Sequence, residues 1–199
     1  MSDQSGCYGF RIMRITTASG ASNLMAHALL AKLPAGRLLN LGAGSGEVRD
    51  GCLVVNVDHV RPERPIGHYV VAEAERLPFR PGSFDGALLK DVVEHLQDPV
   101  GALRECCRVV RPSGAALVQV PRAIPRAVWA DPTHVRGFTS RSLGIALSQS
   151  GWRPGRPQRI GGFPGAGRLG LTPHLLTVMR IPVLGRIFGL NWLVGAERV

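Results

Sequence analysis

The stretch 38–46, Leu-Leu-Asn-Leu-Gly-Ala-Gly-Ser-Gly, constrains this chain more than any other part of its sequence, because an apolar run passes directly into three alternating glycines. Glycine has no Cβ, so such a turn lets the backbone approach a ligand closely. A second apolar run, 53–57, is followed by Asp58, and an acid in that position can accept hydrogen bonds from ribose hydroxyls. The two runs predict parallel strands whose carboxyl ends form a nucleoside-cofactor site.

The segments that follow make this turn specific, since its G-x-G-x-G spacing differs from the G-x-G-x-x-G of dinucleotide-binding folds. Further motif-like stretches occur in order at 70–79, 82–89, 94–99 and 108–114. Together with the turn they resemble class I S-adenosylmethionine-dependent methyltransferases across roughly residues 37–120. The resemblance implies an α/β, Rossmann-like fold, in which a seven-stranded, mostly parallel sheet has helices on both faces within a single domain of residues 1–199.

The resemblance also implies the cofactor, S-adenosylmethionine, and the residues that contact it. The glycine turn is expected to pass under the methionine part, and Asp58 to bind the ribose hydroxyls. Glu73 and the backbone of Ala74 are expected to bind the adenine, and Leu89 and Lys90 to lie beside the sulfonium. The implied cofactor-binding residues are Asn40, Gly42, Gly44, Gly46, Asp58, Glu73, Ala74, Leu89 and Lys90.

Two features depart from the usual family pattern. Asn40 stands where an acid usually ends the first strand, so the charge pairing with the methionine amino group is lost. The stretch from Gly46 to Asp58 is short, whereas a parallel crossover normally takes a dozen or more residues, usually with a helix. We therefore expect a shortened first crossover with room for about one helical turn. In this respect the chain resembles methyltransferases from glycan-assembly contexts, which share an N-L-G-x-G turn and a closely following N-V-D.

The candidate chemistry lies after the fourth and fifth predicted strands. Asp91, Glu94 and His95 are spaced i, i+3 and i+4, so on a helix they share one face. His134 belongs to the segment D-P-T-H-V-R-G-F-T at 131–139, which also resembles the glycan-associated enzymes. In this fold, the loops after strands four and five converge on the same cleft.

Two hypotheses for these residues remain open. In the first, Asp91, Glu94, His95 and His134 hold a divalent metal such as Mg²⁺, which lowers the pKa of a bound hydroxyl. It follows from a resemblance to the E-x-x-E-H pattern of small-RNA 2′-O-methyltransferases and ubiquinone-pathway O-methyltransferases. In the second, the catalytic residues are His95 or His134 as general base, with Glu94 pairing locally, because imidazole titrates near neutral pH.

The charge of the chain is concentrated after the cofactor half. Residues 1–121 carry 13 Lys and Arg against 12 Asp and Glu, whereas residues 122–199 carry 11 Arg against 2 acids. A basic half that faces the acceptor favours an anionic partner, which could be a phosphate, a nucleic acid or a lipid surface. Four arginines near the D-P-T-H segment are candidates to bind a phosphate: Arg122, Arg126, Arg136 and Arg141.

The remaining organisation is read from apolar periodicity and turn signals. We predict strands at 37–41, 53–57, 69–72, 86–89, 115–120 and 191–199, and helices at 22–33, after Asp98-Pro99, and at 140–149. Residues 1–21 form an N-terminal arm, and an Arg/Gly/Pro-rich and apolar insert at 151–190 is a candidate lid or acceptor wall. No apolar run of about 18 residues and no signal-peptide core is seen, so a cytoplasmic protein is expected.

The favoured function is transfer of a methyl group from S-adenosylmethionine to a hydroxyl of a small or glycan-type acceptor, anionic and either phosphate-bearing or lipid-linked. RNA methylation is the second hypothesis; against it, aromatic residues make up only 6% of the chain and no appended RNA-binding module is visible. A third is a non-catalytic, cofactor-binding partner subunit. A peripheral membrane contact through the basic half is also a hypothesis.

Overall fold

A computed structural model describes residues 29–129, 131–160 and 190–199 of the chain. An eight-stranded sheet in the order β3-β2-β1-β4-β5-β8-β6 forms its centre, and β7 also pairs with β8. The first five strands are parallel to one another, whereas β8 runs antiparallel to β5, β6 and β7. The strands are β1 Arg37–Leu41, β2 Leu53–Asp58, β3 His68–Val71, β4 Phe84–Lys90, β5 Val110–Pro121, β6 Trp152–Pro154, β7 Gln158–Ile160 and β8 Asn191–Arg198.

Three α-helices and one 3-10 turn accompany the sheet: the turn Val93–His95, then α1 Pro99–Val109, α2 Pro125–Val128 and α3 Ser140–Gln149. Helix α1 begins where expected because the Asp98 carboxylate accepts a hydrogen bond from the Gly101 amide at 2.9 Å. Such a cap contributes about 1 kcal/mol. Helix α3 begins with a reciprocal capping box between Thr139 and Ser142.

The core lies on both faces of the sheet, because the side chains of successive strand residues point to opposite sides. On one face, Leu39 and Leu89 pack in a large cluster that also includes Leu103 of α1 and Leu147 of α3. On the other face, a smaller cluster of seven buried residues forms between the sheet and the segment that precedes β1: Leu29, Leu30, Leu33, Leu38, Val54, Leu88 and Leu193. The expectation of an α/β sheet covered on both faces is confirmed.

Several details differ from the sequence expectation. The sheet has eight strands rather than seven, because 152–154 and 158–160, placed in the insert as weakly ordered, pair with β8. Residues 121–138, expected to be irregular, contain the short helix α2. β5 begins at Val110 instead of Ala115, with a register irregularity against β4. The predicted arm 1–21, most of the predicted helix 22–33 and the insert residues 161–189 lie outside the described residues.

The first crossover is as short as expected, and none of its residues 42–52 is helical. The side chain of Asn56, fully buried in β2, connects the segments that a helix would otherwise order. Its Oδ1 accepts from Asn40 Nδ2 at 2.8 Å and from the Glu47 amide at 2.9 Å. Its Nδ2 donates to the carbonyls of Glu47, Ile66 and His68. One buried amide thus satisfies backbone groups that the missing helix leaves without partners.

Among the helices of the described part, none is long and apolar enough to cross a membrane.

Candidate active site

The glycine turn lies at the carboxyl end of β1, and its three glycines have different surroundings. A Cβ at Gly42 would lie 2.5 Å from the Val92 side chain, and one at Gly46 would lie 2.6 Å from the Ile66 carbonyl oxygen. A Cβ at Gly44 would meet nothing within 4 Å. Gly42 and Gly46 are therefore required by the protein's own packing, whereas Gly44 faces open space.

Asp58 and Tyr69 fix the open side of this turn. The Asp58 carboxylate accepts a hydrogen bond from the Gly44 amide at 2.9 Å, and the Tyr69 hydroxyl donates to the Gly44 carbonyl at 2.7 Å. Burial and, next, the charge of Asp58 raise the pKa of Tyr69 to about 12, so the phenol stays a donor at neutral pH. The sequence interpretation missed Tyr69, because no local pattern links it to the turn.

The other implied cofactor residues occupy different positions around the same edge. Asn40 is buried, and its amide donates into the Asn56 network, so its side chain orders the turn from behind. Leu89 is fully buried in β4, and Lys90 forms an ion pair with Asp91 at 2.6 Å. Glu73 is exposed and Ala74 is buried, just beyond β3.

The expectation that Asp91, Glu94 and His95 share a helical face is wrong. Asp91 has a left-handed backbone, with φ of 51°, which ends β4 sharply and is incompatible with a helix that begins there. Its amide donates to the Gln119 carbonyl at 3.0 Å, and its carboxylate accepts from Gln119 Nε2 at 2.9 Å and from Lys90. The Asp91 carboxylate is therefore directed to neighbouring strands and does not join the other candidate ligands.

Glu94, His95 and His134 do come together. One ligand atom from each lies within 4.8 Å of the others, and the two imidazole centroids are 4.6 Å apart. The 3-10 turn after β4 carries the first two residues, and the loop after β5 carries the third. The Val135 amide donates to the Glu94 carbonyl at 3.0 Å, which joins the loop to the turn.

Hydrogen bonds specify the tautomers of both imidazoles. His134 Nδ1 lies 2.5 Å from the Val128 carbonyl, and since a carbonyl only accepts, Nδ1 carries the proton. His95 Nδ1 lies 3.0 Å from Thr133 Oγ1. That hydroxyl donates to Asp131 Oδ1 at 2.6 Å, so it accepts from His95. Both histidines therefore keep Nε2 as a lone-pair atom, available to take a proton or bind a metal.

The chain from His95 through Thr133 to Asp131 orients the first imidazole. Hydrogen bonds from the Thr133 hydroxyl and amide hold the pKa of Asp131 below its ordinary value, so this carboxylate remains ionised at neutral pH. The sequence interpretation assigned no role to Thr133. The D-P-T-H spelling was the available signal, since an acid two residues before a threonine readily accepts its hydroxyl and amide.

Glu94 is fully buried, and burial raises the pKa of its carboxyl to about 8. Neither carboxyl oxygen has a hydrogen-bond partner in the part of the chain that the structure describes. Oε1 lies 3.9 Å from His134 Nε2, which is too long for a hydrogen bond. A buried polar group without a partner is rare and indicates a binding or catalytic role.

Sequence comparisons agree with this geometry. A family model described as a methyltransferase domain matches residues 39–118. A protein named as a probable S-adenosylmethionine-dependent methyltransferase of Mycobacterium tuberculosis is 31% identical over 131 residues, covering 58% of this chain and 48% of that relative. The ubiquinone/menaquinone biosynthesis C-methyltransferase UbiE of Vibrio cholerae is 31% identical over 106 residues, covering 43% and 41%. The chain thus spans about half the length of the relatives it matches.

The fold comparison covers more of the molecule. An S-adenosylmethionine-dependent methyltransferase from Archaeoglobus fulgidus superposes with a TM-score of 0.63 and 18% identity, covering 88% of this chain and 94% of that one. At this identity the likeness concerns the fold alone. Combined with the matched domain, the related sequences and the glycine turn before Asp58, it identifies the chain as a member of the class I S-adenosylmethionine-dependent methyltransferases.

Proposed function

We propose that this chain transfers the methyl group of S-adenosylmethionine to a hydroxyl oxygen of a small or glycan-type acceptor, with His95 as the general base. The observation that carries the proposal is the pair of imidazole Nε2 lone pairs beside the buried Glu94. These groups follow β4 and β5, and ligands of open α/β sheets bind outside the carboxyl ends of the strands.

The residues of the turn fit the cofactor. The side of Gly44 where a Cβ would meet nothing leaves space for a ligand against the backbone. The Asp58 carboxylate is mostly buried and already held by the Gly44 amide, so its orientation is set before a ribose binds. We place the ribose at Asp58 and the adenine near Glu73 and Ala74, as the family resemblance implies.

The proposed reaction needs little from the protein beyond position and one proton acceptor. The acceptor oxygen forms a bond to the methyl carbon as the carbon–sulfur bond breaks, and S-adenosylhomocysteine leaves with the electron pair. The hydroxyl proton passes to Nε2 of His95. The imidazolium that forms is stabilised through its Nδ1–H by Thr133 and the ionised Asp131. Alignment of the acceptor with the methyl group supplies most of the rate.

Methylation at carbon is a second candidate, favoured by the similarity to a C-methyltransferase. The same base serves this reaction if it removes the proton of a ring hydroxyl, because the oxyanion makes the adjacent ring carbon nucleophilic. The methyl group then becomes attached to carbon, and the two products differ in their ¹³C chemical shifts when the methyl group is labelled.

A divalent metal at this cluster is a rival to the base hypothesis. Glu94, His95 and His134 offer one carboxylate and two imidazoles, a set that suits a transition metal better than Mg²⁺, which prefers oxygen ligands. Asp91 is no longer part of the proposed set. A bound metal would lower the pKa of the acceptor hydroxyl. Elemental analysis, together with a metal-dependent rise in Tm that Glu94→Gln abolishes, would support this rival.

The other hypotheses concern the partner. RNA methylation predicts binding to generic RNA that falls steeply with salt. A lipid-linked acceptor or membrane contact predicts binding to anionic but not neutral vesicles, and it depends on the apolar stretch at 169–190, which lies almost wholly outside the described residues. The partner-subunit hypothesis predicts cofactor binding without turnover.

The test uses the full chain and methyl-labelled S-adenosylmethionine. We expect a 1:1 complex with S-adenosylhomocysteine by calorimetry and labelled product from a screen of phosphorylated sugars, phenols and RNA. NMR of the product distinguishes oxygen from carbon as the methylated atom. Failure to bind the cofactor would overturn the proposed function, and binding without any product would favour the partner-subunit hypothesis.

A further inference from the structure

An arginine-tryptophan cluster lies at the same edge of the sheet, where β5 ends and β8 begins. The guanidinium carbons of Arg122 and Arg159 lie 5.3 and 5.6 Å from the centroid of the Trp192 ring. We call Arg122, Arg159 and Trp192 the arginine cluster. Cation–π contacts of this kind hold guanidinium groups in defined positions.

Strand register explains why the three side chains meet. Trp192 of β8 pairs with Val120 of β5 on one side and with Arg159 of β7 on the other. Arg122 lies two residues beyond Val120, and its amide donates to the Leu190 carbonyl at 2.7 Å. Side chains of paired residues, and of residues two apart, share one face of a sheet. The cluster is thus built into the sheet.

The electrostatics of the cluster are unfavourable unless an anion is present. Both guanidinium groups contact one ring, and burial together with the charge of Arg159 lowers the pKa of Arg122. The segment 122–199 has only two acids, Asp131 and Glu197. Asp131 binds Thr133, and Glu197 lies beside Arg153.

The cluster is also connected to the candidate active site. Arg122 forms an isolated bridge with Phe138, and the Ala123 amide donates to the Phe138 carbonyl at 2.8 Å. These contacts close the loop that brings His134 to Glu94. A group bound at the arginine cluster would therefore touch the first residue of the loop that carries one of the two imidazoles.

We propose that Arg122 and Arg159 form a phosphate-binding subsite for the methyl acceptor, which makes the acceptor a small phosphorylated molecule. Guanidinium groups bind phosphate oxygens in a bidentate manner, and the Trp192 ring holds both groups in place before the ligand arrives. Trp192 Nε1, a buried donor with no hydrogen-bond partner among the described residues, supplies a third N–H. This inference rests on the proposed function, because it identifies the acceptor of that same site.

The test is calorimetric titration of the full chain with pyrophosphate at constant ionic strength. Arg159→Gln is the main variant, since Arg159 is exposed and its replacement should leave the fold intact. We expect this variant to bind pyrophosphate at least about tenfold more weakly, because a charge-assisted contact is lost. Arg122→Lys, which keeps the charge but not the bidentate geometry, should also weaken binding.

Arg153→Gln is the matched control, because it removes the same charge from an exposed position on neighbouring β6. It should bind pyrophosphate within about twofold of wild type, a difference of under 0.5 kcal/mol. Equal weakening by Arg153→Gln and Arg159→Gln, or no pyrophosphate binding by wild type, would overturn the subsite. Titration with S-adenosylhomocysteine separates the two proposals: if the cofactor binds and pyrophosphate does not, only the subsite fails, and if the cofactor itself does not bind, the proposed function fails.

Discussion

The two edges of the proposed cleft are held together by different interactions. At the cofactor edge, which comprises the turn 42–46 with Asp58 and Tyr69, the important contacts involve backbone atoms. At the acceptor edge, which comprises the turn 93–95, the loop 122–138 and the start of β8, side chains contact side chains. The comparison teaches that a shared cofactor constrains the backbone, whereas the acceptor is selected by side-chain chemistry.

This comparison predicts a separation of effects. Substitutions at the cofactor edge should change cofactor affinity or stability, and substitutions at the acceptor edge should change methyl transfer without changing cofactor affinity. Each of the following experiments could break that separation or sharpen it.

The largest effect is expected from His95→Ala. Loss of a general base typically lowers a rate by about 10²–10⁴-fold, and the affinity for S-adenosylhomocysteine should stay within about twofold of wild type. Thr133→Val keeps the imidazole but removes the hydroxyl 3.0 Å from its Nδ1, so its effect should be smaller. Single-turnover rates and calorimetry measure the two quantities. Near-normal turnover in His95→Ala and in His134→Ala would remove both the base and the metal hypotheses.

The second effect concerns pH and the buried Glu94 carboxyl. Its pKa in the folded protein is about 8, above the ordinary value of 4.5, so folding favours the protonated form. This contribution to stability is fully present below about pH 4.5 and is lost as pH rises through 8. We expect the free energy of unfolding of the metal-free protein to fall by an amount on the order of 3 kcal/mol over this range.

Glu94→Gln should remove most of that decline, because the amide does not ionise. Glu197→Gln is the control, since that carboxylate is 70% exposed and lies on the far side of the sheet end from the cleft, in β8 beside Arg153. Urea denaturation at pH 5, 6.5 and 8 in the presence of a chelator measures the difference. An equally steep decline in wild type and Glu94→Gln would show that the acceptor edge is not buried as described.

How much of each edge could be predicted from sequence follows the same division. Local signals placed β1, β2, the Asp98 cap of α1 and the whole of α3 closely, because strand hydrophobicity and capping residues act within a few positions. The glycine turn was equally accessible, since close packing and left-handed backbones leave few alternatives to glycine.

The acceptor edge was harder to predict because its geometry depends on distant residues. Asp91 turns the chain out of helical geometry with help from Gln119, which is 28 positions away. The short strands β6 and β7 exist because β8 supplies their partners. The convergence of Glu94, His95 and His134 could be anticipated from the strand order, but their tautomers and the Thr133 relay could not.

The third effect compares Gly46→Ala with Gly44→Ala, two substitutions in the same turn. Both glycines have positive φ, but only at Gly46 would the new Cβ meet backbone, 2.6 Å from the Ile66 carbonyl oxygen. Gly46→Ala should therefore lower the free energy of unfolding by about 2 kcal/mol more than Gly44→Ala, as overpacking typically does. Gly44→Ala should mainly weaken the cofactor complex. Equal destabilisation by both, measured in urea, would contradict the assignment of Gly44 to the ligand side.

The smallest effect, and the most specific to the cofactor edge, is that of Asp58→Ala. The variant loses the carboxylate that binds the Gly44 amide and, in the proposal, the charge-assisted hydrogen bonds to the ribose. Affinity for S-adenosylhomocysteine should fall by more than about 1.5 kcal/mol, roughly tenfold or more. His59→Ala is the control, because this side chain is 70% exposed and contacts the same carboxylate at 2.9 Å. Wild-type affinity in Asp58→Ala would mean that the ribose binds elsewhere. A loss in both variants would mean that the loop after β2 as a whole, rather than its carboxylate, holds the cofactor.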